Sequence, residues 1–211
     1  MPEETDFFRP LILASRSPRR LDLLTVHGFA PAPLPADLDD GDLCPDGAAP
    51  DAWVASLAYL KARRVHDAAP PDAVVLGADT VVVKDGDIIG QPRDEAHARR
   101  TIERLRNGSH TVMTGVALLQ GDAQRLVFVD RAVVTVGDIA DTEIASYLAS
   151  GQWRGKAGAY NLADRRDAGW PLSCKGDPAT VMGLPIRVLT PVLRAVLSSP
   201  EAPPPGWSMK P

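Results

Sequence analysis

Short apolar runs alternate along this chain with stretches whose apolar residues recur at helical spacing, and proline and glycine punctuate both. Leu11-Ile-Leu13 reads as a buried strand, broken by Ser15 and Ser17. Pro18 then opens a helix carrying Leu21, Leu23 and Leu24, with Ser17 as N-cap and proline at its first position. Ala30 to Pro50, rich in proline and glycine around Asp37, Asp39, Asp40 and Asp42, predicts an irregular loop. Asp51 caps a helix that runs to about His66, with Val54, Leu57, Leu60 and Lys61 along it. Val74 to Asp79 predicts a short buried strand ending on a carboxylate. Val81-Val-Val83 and Ile88-Ile89 flank Lys84-Asp-Gly-Asp87, a tight hairpin signal. Asp94 caps a helix with Ala98, Ile102 and Leu105 on one face. Thr111 to Leu119 and Leu126 to Val136 predict paired strands around Gln120-Gly-Asp-Ala123. Asp141 to Ser150 predicts a short helix stopped by Gly151, and Pro185 to Leu197 a last helix interrupted by Pro191. This mixture predicts an α/β fold with a mixed sheet, one domain over residues 1–198, and a proline-rich, frayed tail over 199–211.

Composition narrows the partners. A chain of 211 residues that is 45% apolar can bury a sizeable core. Its formal charge of -4 argues against general nucleic-acid binding, so any phosphate site has to be local. Cys44 and Cys174 lie far apart without ligand spacing, which fits a reducing cytoplasm and no disulfide framework. Met1 to Arg9 is polar and acidic, unlike a signal peptide, and no apolar run is long enough to span a membrane. A cytoplasmic protein is therefore expected.

A helix N-terminus offers unsatisfied N–H groups and the positive end of a dipole, a natural anion site. Arg19 and Arg20 stand in that first turn, where cations are disfavoured unless they hold a polyanion or simply point into solvent. Both readings fit the spacing. Asp79 would suit Mg²⁺ or Mn²⁺ together with substrate phosphates. Asp39 and Asp40 could supply a second carboxylate or merely be hydrated. Lys61, on a largely apolar helix face, either snorkels outward or meets a phosphate. Lys156-Ala-Gly-Ala-Tyr160 lets a backbone approach a ligand beside a cation. His27, His66, His97 and His110 share no zinc spacing, and phosphate-loop, nucleophile-elbow and dinucleotide fingerprints are absent.

The ordered motifs resemble the Maf family of nucleoside triphosphate pyrophosphatases. They are Leu13-Ala-Ser-Arg-Ser-Pro-Arg-Arg20 with Leu23-Leu24, Leu57-Ala-Tyr-Leu-Lys-Ala62, Gly77-Ala-Asp-Thr-Val-Val82 and Ile89-Gly-Gln-Pro92. His110-Thr-Val-Met-Thr-Gly-Val116, Gly155-Lys-Ala-Gly-Ala-Tyr160 and Gly183-Leu-Pro185 follow, so the set spans roughly residues 11 to 190. The resemblance implies a Maf/inosine-triphosphatase-like α/β fold, an elongated mixed β-sheet flanked by helices with a central cleft. It further implies a homodimer that cleaves a nucleoside triphosphate, modified and pyrimidine nucleotides included, between the α and β phosphates. A divalent metal cation, Mg²⁺ or Mn²⁺, would be required. Ser15, Arg19 and Arg20 match the family's phosphate-gripping positions, Lys61 its helix lysine, and Asp79 its metal-binding and catalytic carboxylate. Asp40 falls where a glutamate metal ligand is usual, and Ser17, Thr80, Gln91, Lys156 and Tyr160 are expected as further substrate contacts.

Two positions depart from the pattern. Gln91 replaces a lysine, removing a full charge from the phosphate neighbourhood. Ala163 replaces the glutamine usual in members acting on thymidine and uridine triphosphates, leaving Asn161, Asp164, Arg165, Trp153 or Trp170 as substitutes. Gln152 and Gly155 also replace residues that are commonly acidic. Two functions follow: a working pyrophosphatase, or a nucleotide-binding regulator of cell division and septum formation with little turnover.

Overall fold

The computed structural model describes residues 7–38, 47–121 and 124–199. Asp39, Asp40, Asp42, Cys44 and the tail beyond Ser199 lie outside the described residues. Strand β1 (Leu11–Leu13) leads into helix α1 (Pro18–Val26) and the two-residue β2 (Ala32–Pro33). Helix α2 (Pro50–His66) precedes the long β3 (Val74–Lys84), β4 (Asp87–Ile89) and α3 (Glu95–Leu105). The hairpin β5 (Gly108–Gln120) and β6 (Gln124–Val136) follows, then α4 (Asp141–Ala149). A 3₁₀ turn (Ala157–Ala159), α5 (Leu162–Asp167), β7 (Leu172–Lys175), α6 (Pro178–Val181) and α7 (Ile186–Ser198) complete the chain.

One mixed sheet runs in the order β2-β1-β3-β5-β6-β7, with β4 attached to β3. The parallel pairs are β1 with β2 and β3, and the rest are antiparallel. Several local signals act as their chemistry requires. Asp94 accepts from the His97 N–H at 2.6 Å, satisfying an orphan donor of α3. Asp85 and Gly86 take positive φ values of 53° and 86°, which a two-residue hairpin turn needs. Ser17 sits at the N-cap of α1 but its side chain makes no cap; its N–H instead receives help from the Ser15 hydroxyl at 3.2 Å. Helix α2 begins at Pro50, so Asp51 lies inside the first turn and pairs with Arg131.

Asp79 does not end its strand. β3 continues through it to Lys84, and the reason lies in the neighbours. On one edge β3 pairs with β1 over Val74–Leu76 and with β4 over Val82–Lys84. Gly77 to Val81 therefore face a notch between β1 and β4 while their other edge stays paired with β5.

Each face of the sheet carries its own apolar layer. Helix α2 covers one face, where Ala58, Ala62 and Val65 pack on Val75, Ala117 and Leu119. A Cβ at Gly77 would stand 2.3 Å from the Ala58 carbonyl oxygen, and one at Gly115 would stand 2.4 Å from that of Val54. Only glycine lets α2 lie this close to the strands. On the other face two clusters sit at opposite ends. One joins Val74, Leu76, Val116 and Leu118 to α7; the other joins Val82, Val112, Val134 and Val136 to α3, α4 and Trp170.

Candidate active site

The notch opens into a cleft of about 620 Å³. Successive residues of a strand point to opposite faces, yet both Asp79 and Thr80 line this cleft, so it straddles the sheet edge. From the α2 side comes Lys61, whose Nζ donates to Asp79 Oδ1 at 2.5 Å; the two side chains are 14% and 9% exposed. The close seat of α2 over Gly77 and Gly115 brings this lysine to that carboxylate. Lys61 turns into the site rather than snorkelling out.

The opposite wall is the turn from β1 into α1. Ser15, Ser17, Arg19 and Arg20 all line the cleft. Arg20 is firmly oriented: its Nε donates to the Gly183 carbonyl at 2.9 Å, Nη1 to Ser15 Oγ at 3.1 Å and Nη2 to Thr80 Oγ1 at 3.1 Å. Gly183, at φ 112°, approaches so closely that a Cβ there would lie 3.1 Å from Arg20 Nε.

The third wall holds Gln91, Arg154, Lys156, Tyr160 and Asn161. Burial pushes the Lys156 amine down from its usual value, partly offset by Asp164 at 3.4 Å. Tyr160 presents its ring only, because its hydroxyl turns into the core and pairs with His110 Nε2 at 2.9 Å. Burial holds the Tyr160 phenol far above its ordinary range and takes the His110 imidazole down to about 4.

Every expected site residue within the described residues thus reaches one cleft: Ser15, Ser17, Arg19, Arg20, Lys61, Asp79, Thr80, Gln91, Lys156 and Tyr160. Asp40 lies outside them. Sequence reasoning missed Arg16 and Arg154, two further cations on the walls. Neighbouring Arg19 and Lys156 in the motifs were the available signal. Among the described residues six basic side chains line the cleft against Asp37 and Asp79, so cations outnumber carboxylates on these walls in a chain of net charge -4. The substitutes for the amide missing at Ala163 also separate. Trp153 and Trp170 are buried at 3% and 6% exposure, and the Arg165 guanidinium lies over the Tyr147 ring at 4.5 Å. Asn161 lines the cleft, with its Oδ1 accepting from the Asp164 N–H at 3.1 Å.

The described cleft is thus a basic notch in the edge of a mixed sheet, and the chain that builds it is similar to known proteins. The Maf-like protein family matches residues 10–196. The chain is 42% identical over 190 residues to a dTTP/UTP pyrophosphatase of Salinibacter ruber, covering 88% of this chain and 90% of that one. It is 41% identical over 177 residues to a dTTP/UTP pyrophosphatase of Symbiobacterium thermophilum, covering 84% and 89%. Among solved structures, a HAM1 protein from Coxiella burnetii superposes with a TM-score of 0.49 at 13% identity, over 89% of this chain and 99% of that one. The chain belongs to the Maf-like protein family.

Proposed function

We propose that the protein is a nucleoside triphosphate pyrophosphatase that cleaves the α–β phosphoanhydride of pyrimidine nucleoside triphosphates, dTTP and UTP, in the cytoplasm. The observation that carries this reading is the convergence of Ser15, Arg19, Arg20, Lys61 and Asp79 on one cleft, in a chain whose relatives bear that activity in their names.

Arg19, Arg20 and the Ser15 hydroxyl grip the β and γ phosphates. Asp79 takes the proton of the attacking water, and Lys61 holds that carboxylate in place through their 2.5 Å contact. Water adds to the α-phosphorus, the bond to the α–β bridging oxygen breaks, and pyrophosphate leaves with the electron pair. The arginines meet the charge that grows on it. Ser17, Thr80, Gln91 and Lys156 complete the phosphate lining. The base lies against Tyr160, with the Asn161 amide at its edge in place of the glutamine that Ala163 lacks.

The donors fit a hard divalent cation, Mg²⁺ or Mn²⁺, that arrives with the phosphates. Asp79 supplies carboxylate oxygen inside the cleft, and no group of three His, Cys, Asp or Glu exists among the described residues to hold an ion unaided. Asp79 would hold it, with Asp40 as second carboxylate. When bound, such an ion polarises phosphoryl oxygens and acidifies water. A homodimer is the expected unit, checked by light scattering.

The test is turnover of a panel of canonical and modified nucleoside triphosphates with Mg²⁺ or Mn²⁺, with products separated by chromatography. Monophosphate plus pyrophosphate from dTTP and UTP, lost in Arg19→Ala, is expected. Diphosphate plus phosphate would refute the choice of bond. Nucleotide binding without turnover would refute the enzyme.

A further inference from the structure

The face of the sheet that carries two apolar clusters is crossed between them by a polar row. Along β3 the inward positions read Val74, Leu76, Ala78, Thr80, Val82, and along β5 they read Val112, Thr114, Val116, Leu118. Thr80 stands directly opposite Thr114, and Thr114 opposite Asp130 on β6. Alternation is broken once on each of three strands, at the same register. Thr114 is fully buried, as is Thr180, which roofs the row from α6. A buried hydroxyl that could be valine at little cost to packing is there for its hydrogen bonds.

Those bonds have only one consistent direction. Thr114 Oγ1 lies 2.7 Å from the Thr180 carbonyl, which can only accept, so the single Thr114 proton goes there. Thr80 Oγ1 is 2.9 Å from Thr114 Oγ1, so Thr80 is the donor of that pair. With its own proton spent, Thr80 turns a lone pair to Arg20 Nη2 at 3.1 Å. The Thr180 hydroxyl is in turn tied to the Asp130 carboxylate. Three residues beyond Thr180, the Gly183 carbonyl receives Arg20 Nε. The polar row and α6 thus close a ring that grips the guanidinium on two sides.

We propose that Thr114, which touches no substrate, is a positioning residue: by fixing the Thr80 hydroxyl it aims Arg20 at the leaving pyrophosphate. This rests on the pyrophosphatase reading for the identity of the group that Arg20 meets. In Thr114→Val the Thr80 hydroxyl loses the acceptor that fixed its proton and side chain, so the oxygen offered to Arg20 is no longer held in place.

The experiment compares Thr114→Val, which keeps volume and loses the hydroxyl, with Thr114→Ser, which keeps the hydroxyl and loses a methyl. Two readouts are taken: turnover of dTTP, and calorimetric affinity for inorganic pyrophosphate, which needs no turnover. Thr114→Val is expected to lower kcat by about tenfold and to weaken pyrophosphate to a similar degree, the scale of one hydrogen bond to a charged group. Thr114→Ser should stay within about twofold of wild type. In an Arg20→Lys background, Thr114→Val should have no further effect. A threonine needed only for its packing gives the opposite order, with serine the worse variant, and one whose hydroxyl only anchors the Thr180 carbonyl gives an effect that persists beside Arg20→Lys. Either of those results overturns the inference. So does wild-type pyrophosphate affinity in Thr114→Val, or no pyrophosphate binding by the wild type. If the wild type turns over no triphosphate while the pyrophosphate ratios hold, the pyrophosphatase reading alone falls.

Discussion

Acidification should destabilise the protein through His110 well before its carboxylates are protonated. The ring is 3% exposed, its Nε2 is paired with the Tyr160 hydroxyl, and its Nδ1 is buried with no hydrogen-bond partner. Protonation would place an N–H on both nitrogens and leave one of them unpaired in an apolar cluster. Burial, with a smaller contribution from the Lys84 charge, takes this histidine from its ordinary 6.5 to about 4. The native state therefore resists a proton that the unfolded chain accepts, and stability present above pH 6.5 is lost as pH falls towards 4. Linkage over that interval amounts to about 2 kcal/mol by pH 5 and about 3 kcal/mol once both states are protonated. Urea unfolding, followed by fluorescence of the buried Trp153 and Trp170, measures this at pH 7.5, 6 and 5. His110→Gln, neutral throughout, should start less stable than wild type and lose about 2 kcal/mol less between pH 7.5 and 5. Parallel curves for the two proteins would refute the reasoning.

Further outcomes follow from the same geometry. Asp79→Asn should abolish pyrophosphate release with the far-ultraviolet spectrum unchanged, as followed in a coupled phosphate assay. Gly115→Ala puts a Cβ 2.4 Å from the Val54 carbonyl oxygen. It should cost about 1–3 kcal/mol in thermal unfolding and lower activity by lifting Lys61 away from Asp79. Gln91→Lys returns a charge-assisted donor to the cleft and should lower KM for the triphosphate by about threefold to tenfold, measured by initial rates.

Much of the site was legible because local chemistry and global geometry agree there. The strand and helix on either side of the junction at Leu11–Arg20, the Asp94 cap and the Asp85-Gly86 turn depend on neighbours in sequence and formed as read, the Ser17 side-chain cap excepted. Asp79 was found but its setting was not. A polar residue after an apolar run resembles a strand end, and only the break in edge pairing keeps it inside a continuing strand. Ser17 holds the N-cap position that its residue type favours, but its side chain makes no capping bond, and nothing in the structure explains why. Strands β2 and β7 and helix α6 are too short to show a period. The row Thr80, Thr114, Asp130 is written in the alternation of three strands but becomes a row only once the register is known.

The notch in the edge of β3 has a mechanical consequence. Its cleft is lined by members of all three apolar clusters: Ala14 and Ala36 of the α2 layer, Met182 packed against the α7 cluster, and Val82 and Val112 of the cluster around Trp170. On the proposed function, a polyphosphate seated between Lys61, Arg20 and Lys156 would be a strut joining all three, set against the unpaired edge of β3. Occupancy would then do more than hold a ligand: by tying the two sides of the notch it should slow hydrogen exchange at strands on both sides together, and departure of the product should release them together.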